Sequence, residues 1–115
     1  MATFEEFAAL ALALPGAYEE ITWGTRHTFR VRGKIFAMGA PEDEHVAVKA
    51  AKEDQAELLA ADPETFSFAP YVGRFGWVQI ALPKIGAAEL GELVTDGWRR
   101  TAARAEVRAF DARSA

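Results

Sequence analysis

Hydrophobic and polar positions repeat along this chain with two different periods, and the switches between them mark the elements. From Thr3 to Leu14 the apolar residues Phe4, Phe7, Ala8, Ala11 and Leu14 recur at helical spacing and form one stripe. Thr3 followed by Glu6 predicts a capping box, and Glu5 and Glu6 suit the positive end of the helix dipole. Pro15-Gly16 then stops the helix. From Tyr18 the period is two. Tyr18, Glu20 and Thr22 alternate with Glu19, Ile21 and Trp23, which predicts a strand, and Gly24-Thr25 turns the chain. The stretch Trp23–Gly39 predicts a hairpin: a strand over Thr28–Arg32, a turn at Gly33-Lys34 and a strand over Ile35–Met38. Phe29 and Val31 point one way while Thr28, Arg30 and Arg32 point the other, so one face is apolar and the other cationic.

A loop over Ala40–Glu44 leads to a strand over His45–Lys49 with Val46 and Val48 inward. A helix over Ala51–Ala61 ends at Asp62-Pro63, because the residue before proline is pushed out of the α region. Thr65–Ala69 reads as a short strand that Pro70 makes an edge or a connection. Along Gly73–Pro83 the residues Val78, Ile80 and Leu82 share one strand face, with Trp77 and Gln79 on the other. Parity thus leaves Trp77 outside the main core, either covered by a loop or exposed. The last helix runs from Ala87 to Ala105, with Leu90, Val94 and Trp98 on its apolar face, and residues 106–115 are expected as a frayed tail. Gly91 and Gly97 each lower its propensity by about 1 kcal/mol relative to Ala and point to close packing on the sheet. The expected fold is α+β, a two-layer sandwich. An antiparallel sheet of about five strands carries helices on one face, in the order α, three to four strands, α, one to two strands, α.

The chain has 115 residues, half of them hydrophobic, which predicts one domain over residues 1–115 with a single core. The absence of cysteine excludes disulfides, thiolate chemistry and Cys-based zinc sites. The net charge is −4, against nucleic-acid binding as a whole-chain property. Its distribution changes that picture. Residues 23–39 contain Arg26, Arg30, Arg32 and Lys34 and no acid, so they carry +4 and leave −8 on the remainder. The N-terminal Ala/Leu run lacks a basic n-region, and no apolar run approaches the roughly 20 residues that span a bilayer. A cytoplasmic protein, with no membrane partner, is the expectation.

Catalytic motifs do not appear. There is no G-x-S-x-G, H-E-x-x-H, Walker or dinucleotide glycine pattern, and Ser67 and Ser114 are the only serines. Glu19 and Glu20 are adjacent and face opposite sides of a strand, which rules them out as a facing carboxylate pair. The expectation is a non-enzyme with no cofactor and no metal site; His27 and His45 read as surface histidines. Gly73-Arg74-Phe75-Gly76 has the spacing of a backbone-clamping GxxG loop, but it precedes a strand instead of joining two helices and reads as a plain loop.

The ordered segments LPGAYEEITWG, FRVRGKIFAMG, VAVKA and YVGRFGWVQIAL, followed by a helix with a Trp-Arg-Arg step, resemble the MmcQ/YjbR family of small bacterial proteins. The resemblance covers about Phe4 to Ala103. It implies a compact α/β fold similar to secretion-chaperone and frataxin-like folds, and it implies DNA binding. Three readings follow. The first is a DNA-binding module using a cationic sheet face, with Arg30, Arg32, Lys49, Arg74 and Trp77 as contacts to double-stranded DNA. The second is a binding domain for a small anionic ligand or peptide, with a pocket near Trp23, Lys49, Arg74 and Trp77. The third is a protein-interaction or chaperone-like dimer pairing through a sheet face or the last helix, the chain being expected as a monomer or a homodimer. What separates the first two is whether the cations form a continuous stripe or converge on a concavity.

Overall fold

The capping box at Thr3 forms as its sequence predicts. Thr3 Oγ1 accepts from the Glu6 amide at 3.1 Å, and Glu6 Oε1 accepts from the Thr3 amide at 2.9 Å. In the computed structural model, which describes residues 1–114, this cap starts α1 (Phe4–Leu12). There follow β1 (Tyr18–Thr22), β2 (Arg26–Val31), β3 (Lys34–Gly39), β4 (His45–Val48), α2 (Lys52–Ala61), β5 (Phe66–Phe68), β6 (Val78–Ala81), α3 (Ala87–Arg99) and α4 (Arg104–Ser114). Short 3-10 turns at Gly73–Phe75 and Leu82–Lys84 flank β6. The six strands form one antiparallel sheet in the order β1-β2-β3-β4-β6-β5. Among the described residues no helix is long and apolar enough to cross a membrane.

Helices α1 and α3 cover one face of the sheet. Phe29, Val31, Val46, Val48, Val78 and Ile80 point into that layer, as their period of two requires, and meet Phe7, Leu90, Val94 and Trp98. Trp98 is fully buried, and its indole N–H donates to the Pro15 carbonyl at 2.9 Å. Gly97 explains how closely α3 approaches. A Cβ there would lie 3.0 Å from the Lys49 carbonyl oxygen and 3.1 Å from that of Phe36, so the glycine seats the helix on the β3–β4 pair.

Two features differ from the sequence reading. The β2–β3 turn is Arg32-Gly33, one residue earlier than Gly33-Lys34. Both residues have positive φ (57° and 76°), the requirement of the two-residue turn whose twist matches its strands. The last helix also breaks. Thr101 Oγ1 donates back to the Gly97 carbonyl at 2.9 Å, and the amides of Thr101 and Ala102 both bond to the Trp98 carbonyl. The chain then reverses into α4, where Val107 and Phe110 pack against the core and the Phe110 ring lies 5.1 Å from Trp98. The expected tail is therefore helical up to Ser114.

Candidate ligand-binding groove

The sheet face away from α1 and α3 is not uniformly solvated. Trp77 is 7% exposed there and forms a second, small cluster with Ala47 and Ala69, against which Ile35, Met38 and Val72 pack. Parity had left Trp77 outside the main core; the segment 69–76 folds over it. Gln55 of α2 holds that segment in place. It is buried, and its side-chain Nε2 donates to the carbonyls of Gly73 at 2.8 Å and Trp77 at 2.7 Å. Gly76 is required beside it. Its φ is +103°, and a Cβ would sit 2.4 Å from the Ala50 carbonyl oxygen.

Between this loop and the β1–β2 turn lies a groove of about 510 Å³. Met38, Ala47 and Gln79 from the sheet line it, with Arg26 at the start of β2, His45 at the start of β4 and Asp43 from the loop before it. Its remaining lining includes Trp23 from the β1–β2 turn and Tyr71 and Val72 from the folded-over loop. Trp23 is 72% exposed and Tyr71 94% exposed. Both also hold positive φ, 52° and 65°. A bulky side chain in that region is a genuine conformational outlier that costs on the order of 1–3 kcal/mol, and such strain gathers at binding and catalytic sites. Two of the three non-glycine residues with this backbone among the described residues thus belong to one groove.

The polar groups of the groove divide into engaged and free. Asp43 accepts from the His45 amide at 3.0 Å, and the same oxygen lies 3.7 Å from the His45 ring. Arg26 and Gln79, both half-buried, have no side-chain hydrogen bond or ion pair among the described residues.

The six residues expected at the site do not converge. Trp23 lines the groove and Trp77 packs beside it. Arg30 stands on the open face but is tied down: it donates to Thr28 Oγ1 at 3.2 Å and Thr22 Oγ1 at 3.3 Å and lies 3.6 Å from Glu20. Arg32 is not on that face. Its turn position sends the guanidinium to the Thr101 carbonyl at 3.3 Å, in the helix layer. Lys49 lies beyond the end of β4, so strand parity no longer places it. It lines a separate cleft of about 380 Å³ with Asp54, Glu57, Glu92 and Asp96. Arg74 lies in a 3-10 turn, 4.8 Å over the Phe75 ring, and does not line the groove. Arg26, Tyr71 and Gln55 are the residues that sequence reasoning missed.

A family model described as YjbR matches residues 12–100. The chain belongs to the YjbR family. The matched span of this YjbR chain runs from the end of α1 through α3 and so contains the whole groove. A crystal structure of a Deinococcus radiodurans protein with a DUF419 domain is similar over 96% of the YjbR chain and 89% of its own, with a TM-score of 0.80 and 20% sequence identity. At that identity the likeness is one of fold. No curated protein matches the YjbR chain.

Proposed function

We propose that this protein is a non-enzymatic binding module whose open sheet face takes a small anionic ligand with a flat apolar body. One observation carries the reading. A guanidinium without a partner among the described residues, that of Arg26, lines a groove together with two exposed aromatic rings on strained backbone. An unengaged arginine is available for the two-pronged hydrogen bonding that carboxylates, sulfonates and phosphates accept. The groove's size and its apolar lining with few polar groups fall in the range of small-molecule sites.

Binding of duplex DNA is the second reading. It is favoured by Arg26 and Arg30, four residues apart on β2 and on one face. The stripe of cations that a duplex needs is interrupted, because Arg32 and Lys49 lie elsewhere. Titration with anilinonaphthalene sulfonate, a flat aromatic anion, separates the two. The groove reading expects saturable binding that Arg26→Ala weakens by about 10- to 100-fold, the value of a charge-assisted hydrogen bond of ~1.5–3 kcal/mol. Arg30→Ala should leave it nearly unchanged. Absence of saturable binding, or equal loss in both variants, overturns the groove. Anisotropy of a labelled duplex that falls steeply between ~50 and ~200 mM salt, equally sensitive to Arg26 and Arg30, would put DNA in its place.

A further inference from the structure

The free groups of the groove differ in kind, and together they match the three parts of one ligand class. Trp23 and Tyr71 present largely exposed rings, which offer stacking faces. Arg26 offers a planar, permanently charged fork. Gln79 is the third. It lies on β6, in register with Ala47 on β4 and with Ser67 on β5. Its carboxamide is half-buried in the groove lining without a partner among the described residues. A carboxamide presents an acceptor and two donors in one plane. That pattern is the complement of the N6/N7 edge of adenine, which shows a donor beside an acceptor. Guanine presents acceptors at both O6 and N7, so the amide oxygen would face a second acceptor there.

Resting on the groove reading above, we infer that the ligand is an unpaired adenine nucleotide, its base against Trp23 and Tyr71, its N6/N7 edge on Gln79 and its phosphate on Arg26. The base must be unpaired because a stacked, paired base has no free face for the two rings. Asp43 is the one acid in the groove lining, and His45 engages it, which leaves Arg26 to take the phosphate. The chemistry is shared by a free mononucleotide and by a nucleotide within a single strand.

Displacement of bound anilinonaphthalene sulfonate tests the inference. Adenosine 5′-monophosphate should displace it at a concentration at least about tenfold lower than guanosine 5′-monophosphate does. Gln79→Leu should bring that ratio close to one. Arg26→Ala should weaken the monophosphate but not unphosphorylated adenosine. A short oligodeoxyadenylate that competes better per nucleotide than the monophosphate identifies a single strand as the source; the reverse order identifies a free nucleotide. Dye binding that neither adenine nucleotide displaces overturns the inference and leaves the groove reading standing. Equal displacement by adenine and guanine nucleotides in the unaltered protein also overturns it. Failure of the dye to bind overturns the groove reading and this inference with it.

Discussion

On the helix side of the sheet, Phe29, Val31, Val46, Val48, Val78 and Ile80 are each at most 2% exposed, and Trp98 above them is both buried and hydrogen-bonded. On the other side the sheet is roofed in part. Trp77 is covered by a loop, while Trp23 and Tyr71 stand out of the same region at 72% and 94% exposure. The first face is built for stability: each apolar group meets another. The second keeps a small anchored cluster and spends backbone strain on aromatic rings that bury little. Burial of apolar area is the main source of folding energy, so the exposed rings of the second face have to be explained by something other than folding.

The contrast can be broken hardest at Trp98. Trp98→Ala removes a fully buried indole, its bond to Pro15 and its contact with Phe110. It should cost about 3–5 kcal/mol, a large part of the total stability of ~5–15 kcal/mol expected for one domain. Urea denaturation would measure it. A loss under ~1 kcal/mol would mean that the helix-covered face is not the stability core. The loop clamp comes next. Gln55→Leu removes two buried hydrogen bonds and leaves the Trp77 carbonyl without that donor, which should cost about 1–3 kcal/mol. The change should be local. Amide hydrogen exchange should quicken at residues 72–77 while α1 and α3 keep their protection. Uniform loss of protection would make the roofed cluster part of the main core.

The fold was largely legible in the sequence because its signals are local. The Thr3 cap, the alternation on β2, β4 and β6 and the stripe on α3 each lie within one element. The site was less legible. Arg26 was missed because β2 starts two residues before Thr28; the pairing Thr22↔Arg26 extends the strand and places Arg26 on the face of Arg30. Arg32 and Lys49 were assigned to the open face by parity, but each lies just past a strand end, where parity stops. Tyr71 and Gln55 have no local signal at all. Their roles depend on a loop folding back over the sheet, held by a bond that joins residues 22 apart in sequence.

The smallest expected change in stability is the one that sharpens the contrast most. In Trp23→Gly the new residue accepts a φ of 52° without strain, and the ring it removes is 72% exposed. Relief of left-handed strain, about 1–2 kcal/mol, is set against the greater entropy of glycine in the unfolded chain, about 0.4–1 kcal/mol. The two nearly cancel, so the midpoint of thermal unfolding should move by only a few degrees in either direction. Dye binding in the groove should fall by about tenfold or more, since one stacking face is worth ~1–3 kcal/mol. Loss of binding at constant stability would assign Trp23 to the ligand alone. A drop of more than ~2 kcal/mol in stability with binding intact would instead make Trp23 a cap on the β1–β2 turn, and the two faces of the sheet would then differ in degree and not in purpose.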